Sequence, residues 1–156
     1  MNGINIDEKY SLTNYRKTEG REGEGFIANL TKNGKRVDEV ADYGDGGATR
    51  VYLRGNEMDE LTEFAKKFYD NIGVTSFCDG IAVNFVNDLA DYIDSVKSAK
   101  RRKKTTIVQV VRECEYLNTL RISYAVWNSP YDERLKRHLE KTYKEQPYRV
   151  LSPFVG

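Results

Sequence analysis

The sequence predicts an α+β fold in which an antiparallel sheet, made of an N-terminal meander and a C-terminal hairpin, packs with about three helices. Two observations predict it. Strand-like segments punctuated by turn residues fill the first third of the chain and return after residue 104, while helical periodicity lies between and after them. Such segregation argues against a doubly wound parallel sheet, which needs strands and helices in alternation. The residues are read as one domain, 1–156, with a sub-boundary near 97–105 where the charge changes sign.

Tyr10–Tyr15 is rich in strand-favouring residues and opens the meander. Thr18–Gly25, a run of Gly and Glu, reads as a mobile polar loop, and Gly25–Thr31 as the second strand. Asn33-Gly34 is the pair favoured by a type I′ hairpin turn, where both central residues need positive φ. Arg36–Ala41 returns, Asp42–Gly47 turns, and Ala48–Leu53 supplies a fourth strand.

Asn56 then stands as a helix cap with Asp59 three residues on. Leu61, Phe64, Ala65 and Phe68 form one apolar stripe, and Gly73 marks the stop. After the connection Thr75–Gly80, a second helix runs from Ile81 to Ala99 with Ile81, Phe85, Leu89, Ile93 and Val96 as its buried line. Asp88, Asp91 and Asp94 lie away from that line and form an acidic partner face. Thr105–Val111 and Leu120–Trp127 are strands joined by a turn at Glu115–Thr119. Ser129, Pro130 and Asp132 carry the signature of a helix start, with Ser129 as cap. Tyr131, Leu135, His138, Leu139 and Thr142 line that helix's inner face, and Pro147 ends it before a tail or edge strand at Tyr148–Val155.

The formal net charge of +1 conceals an asymmetry. Residues 1–96 carry 11 Lys+Arg against 18 Asp+Glu, and residues 97–156 carry 14 against 6, giving −7 and +8. Either the halves present two surfaces to two partners, or they neutralise each other within one fold. No apolar run of about 18 residues is present, so no membrane partner is expected. The first ten residues lack the basic and apolar blocks of a secretory leader, and two cysteines set no disulfide framework, so reduced thiols and a cytoplasmic location are expected.

Candidate chemistry is sparse. His138 is the sole histidine, which removes twin-histidine and multi-histidine zinc mechanisms within one chain. Cys78 and Cys114 lack metal-ligand spacing, and no Gly-Lys-Ser/Thr follows a glycine loop. Asp42–Gly47 lacks the alternating oxygen ligands of a calcium loop. No catalytic residue, metal or cofactor is therefore assigned. The strongest surface signal is the unbroken run Lys100, Arg101, Arg102, Lys103 and Lys104. With Arg112 and Arg121 it forms the expected contact with nucleic acid or an acidic partner. Arg134 and Arg137 add charge to the same half, and Tyr116, Tyr124 and Trp127 would stack on bases if exposed. Eleven tyrosines suit binding surfaces and exposed sheet faces equally.

One segment resembles known sequences. Gly25–Leu30, Asn33–Lys35 and Asp42–Gly47, within Gly23–Leu53, resemble the N-terminal hairpins of small uncharacterised proteins of phages and integrated mobile elements. The similar stretch covers about a fifth of the chain, and its motif is one of shape rather than chemistry. The resemblance implies an accessory protein that binds and blocks host machinery, such as an inhibitor of CRISPR defence. Its expected partner is a host protein or nucleoprotein complex. The alternative reading is a nucleic-acid-binding protein in its own right, an RNA-processing factor or nuclease using the 100–104 cluster on RNA or DNA.

Overall fold

The computed structural model describes residues 3–74, 77, 80–102, 105–114 and 119–151. The architecture is α+β, with six strands in two separate antiparallel sheets and three helices among these residues. Two compact units divide the chain, Met1–Ala90 and Asp91–Gly156.

In the first unit β1 (Tyr10–Gly20), β2 (Gly23–Lys32) and β3 (Lys35–Asp42) form a meander in the order β1-β2-β3. Along β2, Phe26, Ala28 and Leu30 are buried while Ile27 and Asn29 are only half-buried, the two-residue alternation of a one-sided sheet. The helix α1 (Glu57–Ile72) buries Leu61, Ala65, Phe68 and Tyr69. Phe85 of α2 (Ile81–Arg101) is the hub of the aromatic core, with Phe64, Phe68 and Tyr10 rings 5.8, 5.9 and 6.2 Å away at steep angles. Edge-to-face contacts of this kind place the positive ring edge on the negative face. Asn33 and Gly34 have φ of 51° and 84°, so the Asn-Gly pair forms the expected two-residue turn.

Four readings of this region are corrected. The segment 18–25 is hairpin rather than loop: Thr18 pairs with Gly25, Glu19 with Glu24 and Gly20 with Gly23, leaving a turn of Arg21 and Glu22. Gly20 and Gly25 within it, and Gly44 of the following turn, serve close packing. A Cβ on Gly20, Gly25 or Gly44 would overlap a backbone oxygen of Tyr43, Asp42 or Gly23 respectively, and Glu22 N donates to Gly44 O at 2.7 Å. The turn after β3 is thereby drawn back onto the hairpin tip. For that reason the fourth strand, Ala48–Leu53, does not form: only Arg50 reaches β3, as a single bridge to Ala41, and Tyr52 is 78% exposed. Asn56 precedes α1 in helical geometry without a side-chain cap, whereas Gly73 ends it at φ 79° as expected. Finally, the buried residues of α2 include Val86, Ala90, Tyr92 and Ala99 beside Phe85 and Leu89, while Ile81, Ile93 and Val96 are half-buried.

In the second unit β4 (Thr106–Cys114) lies between β5 (Thr119–Trp127) and β6 (Tyr148–Leu151). Every described pairing in this sheet is antiparallel. One face of the sheet, through Val108 and Val110, packs on Leu135, Leu139 and Tyr143, with Trp127, Tyr148 and Val150 at the margin. On the other face Tyr124 meets Tyr92 at 5.4 Å between ring centroids. Thr105 Oγ1 donates to Ala99 O at 3.3 Å, satisfying a carbonyl of the last turns of α2. The third helix, α3 (Glu133–Thr142), is capped by Asp132 rather than Ser129: Asp132 Oδ1 accepts from Leu135 N at 2.8 Å. Ser129 instead stands before it, its carbonyl accepting from Thr106 Oγ1 at 2.7 Å. Leu135, Leu139 and Tyr143, four residues apart, form the inner line. Tyr131, His138 and Thr142, expected on that line, are exposed. The turn at Glu115–Thr119 and the connection Thr75–Gly80 lie largely outside the described residues, as does the end of the expected C-terminal strand beyond Leu151.

Candidate nucleic-acid interface

Three backbone features build a groove in the second unit. The last residue of β5, Trp127, pairs with the first of β4, Thr106, so its indole stands at the end of the sheet. The capped start of α3 then fixes the helix beside it, and the Leu135–Leu139–Tyr143 line sets the rotation of that helix. Arg134, Arg137 and Lys141, spaced i, i+3 and i+7, consequently share one flank of α3. Together with Trp127 and His138 they line a groove of about 970 Å³.

The wall chemistry is cationic and aromatic. Among the described residues no carboxylate lies within ion-pair distance of Arg134, Arg137 or Lys141. Their charge is therefore directed at solvent or at a ligand. Trp127 is half-buried, and the His138 and Tyr143 rings meet it nearly edge-on at 5.1 and 6.4 Å. The indole Nε1 is buried without a hydrogen-bond partner among the described residues. At the groove's N-terminal end stand Asp132, engaged as the helix cap, and Glu133. The first unit has a smaller polar depression of about 290 Å³ where β1 bulges at Asn14, lined also by Arg16 and Glu39.

The sequence-predicted contact residues fall into separate places. Lys100 and Arg101 form the last turn of α2 and are exposed; cations there suit the negative end of the helix dipole. Arg102 Nη1 reaches Asn128 Oδ1 at 3.4 Å, and Asn128 lines the groove, so this member of the run adjoins the groove. Lys103, Lys104 and Tyr116 lie outside the described residues. Arg112 and Arg121 are exposed and directly opposite one another across β4 and β5. They sit six register steps from Trp127, about 20 Å at strand rise, at the other end of the sheet.

Of the expected acidic face, Asp88 accepts a 2.5 Å hydrogen bond from the Tyr69 hydroxyl inside the first unit. Asp91 is exposed, yet its carboxyl is pushed up, first by desolvation and then by the neighbouring Asp94 charge. The exposure of the residue keeps that shift from becoming a large stability effect. Asp94 is half-buried. Cys78 lies outside the described residues, as does the side chain of Cys114. Among the described residues no three His, Cys, Asp or Glu side chains gather as metal ligands, and no helix is long and apolar enough to cross a membrane.

From sequence alone Arg134 and Arg137 count only as added charge and His138 falls on the inner face of its helix. The available signal was the alignment of Arg134, Arg137 and Lys141 at helical spacing on the side flanking the Leu135–Leu139 line. Comparison with family models, with curated proteins and with solved structures finds no match.

Proposed function

We propose that this protein acts by binding a nucleic-acid strand, bare or carried by a nucleoprotein, in the groove between the end of β5 and α3. The observation that carries this reading is the row Arg134, Arg137 and Lys141, without a described carboxylate partner, beside the half-buried Trp127. Cations held on a capped helix face phosphates without first having to leave an internal partner, and Arg102 extends the row at the groove's edge. Action by occupancy needs no reaction centre. It fits the setting suggested by Gly23–Leu53, inhibition of a host defence nucleoprotein such as a CRISPR effector, in which the protein would cover a nucleic-acid-bearing surface.

The test is the salt dependence of binding to a labelled oligonucleotide. Replacing Arg134, Arg137 and Lys141 together by Gln is expected to reduce the slope of log K against log salt by about 2, close to 0.7 per lost phosphate contact. An unchanged slope and affinity in the triple variant would remove the groove as the contact surface.

A further inference from the structure

We infer that the groove selects single-stranded nucleic acid, by stacking an unpaired base on the His138–Trp127 aromatic step while the α3 cations hold the backbone. The inference rests on the reading above and names its ligand more narrowly.

Three features favour a single strand over a duplex. The cations lie in a recess beside the sheet. A helix that reads duplex DNA must enter a major groove about 12 Å wide, which requires a protruding, convex face. Here the Arg134–Lys141 flank of α3 is part of a concave wall shared with Trp127. The second feature is chemical. His138 is exposed and meets the Trp127 ring at 78° and 5.1 Å, so two ring systems with different orientations line one recess. Aromatic surface at such a site offers nothing to a duplex, whose base faces are already stacked, but offers every unpaired base a π-face. Third, the groove has a polarity. Asp132 and Glu133 stand at the start of α3, and further along the helix Arg137 and Lys141 flank His138 in sequence. A strand would enter with its backbone toward Arg137 and Lys141 and a base directed at the aromatic step.

The protein carries its own probe, because Trp127 is its sole tryptophan. Full-length protein is titrated with a short mixed-sequence single strand, with the corresponding duplex, and with heparin, a polyanion that has no bases. The single strand is expected to bind at least tenfold more tightly than the duplex and to quench Trp127 emission, whereas heparin binds without quenching. His138→Ala is exposed and leaves the core intact, so it should lose about tenfold in single-strand affinity, the scale of one base stack, while heparin affinity stays the same. His138→Phe keeps a ring and should retain single-strand affinity, which separates stacking from charge. Equal affinity for all three ligands with unchanged Trp127 emission would overturn the inference and leave the groove as a general polyanion site. Loss of single-strand affinity in His138→Phe as in His138→Ala would also overturn the stacking role. If the Arg134, Arg137 and Lys141 variant binds all three ligands like the parent, the underlying reading fails, and this inference with it.

Discussion

In the first unit Lys32 Nζ reaches Glu57 at 2.8 Å and Glu60 at 2.9 Å, Lys17 approaches Glu24, Lys67 approaches Glu63, and Arg50 approaches Asp45. In the second unit Arg134, Arg137 and Lys141 have no such partner among the described residues and line a groove instead. The contrast follows composition: 11 Lys+Arg against 16 Asp+Glu in Met1–Ala90, and 14 against 8 in Asp91–Gly156, net −5 and +6. In the acidic unit Lys17, Lys32, Arg50 and Lys67 each stand by a carboxylate, while the surplus of cations in the other unit leaves Arg134, Arg137 and Lys141 to act outward. The lesson is that net charge near zero says little, and that the charges to follow are those lacking a local partner.

The units also differ in what holds them. The first depends on glycine close-packing and a cluster of Phe and Tyr rings, the second on the Leu135–Leu139–Tyr143 line of α3 set against Val108 and Val110. The largest effect on this contrast is expected from Gly25→Val. The added side chain would meet the Asp42 backbone, which has no flexible end to move, so the stability loss should exceed about 4 kcal/mol in chemical denaturation. Gly34→Ala is its control: space is open there, and the positive φ alone should cost about 1 kcal/mol. A small loss at Gly25 would refute the close-packing account. Next in size is Leu139→Ala, which removes the centre of the second unit's core and should cost roughly 2–5 kcal/mol, read through the emission of nearby Trp127.

An alkaline titration sharpens the comparison further. Tyr10 is fully buried, and burial pushes its hydroxyl up to about 12, partly opposed by the nearby Lys32 charge. Because the folded group stays neutral when the unfolded one ionises, its contribution is complete below pH ~10 and is lost as pH rises toward 12. The loss should reach roughly 2–3 kcal/mol. Lys32, raised first by its hydrogen bond to Glu57 and then by that to Glu60, loses its contribution in the same direction above its ordinary range. Tyr10→Phe should flatten the alkaline decline. At neutral pH it should also add about 1 kcal/mol of stability, since the hydroxyl has no hydrogen-bond partner among the described residues. An undiminished alkaline decline in Tyr10→Phe would assign it elsewhere. The smallest effect is expected from Lys67→Ala, an exposed pair with Glu63 at 4.0 Å, which should change stability by less than about 0.5 kcal/mol.

Local chemistry made much of this protein legible from its sequence. Asn33-Gly34 specified a two-residue turn because both residues tolerate positive φ. Gly73 ended α1 for the same reason, and the β-branched run of β4 needed no distant information. The α+β class followed from the order of these local signals. The candidate site was legible only in part: the basic run is real, but its length in sequence concealed that only Arg102 meets a groove residue among the described members.

Tertiary structure decided what depended on distant partners. Gly20 and Gly25 look like loop residues until the Asp42–Gly44 backbone is laid against them, because close approach leaves no periodic trace. The segment 48–53 has strand propensity, yet the same packing draws its approach away from β3 and leaves one bridge. Asp132 and Ser129 are both competent caps, and the Thr106 hydroxyl holding Ser129's carbonyl accompanies the choice of Asp132. His138 sits three residues from Leu135, within reach of the inner face by spacing alone, but Trp127 at the sheet end meets it at the groove instead. Sequence by itself determined the elements whose signals are carried within a few residues. Which cations were left facing outward was settled by packing, since that depends on where the carboxylates of other elements come to rest.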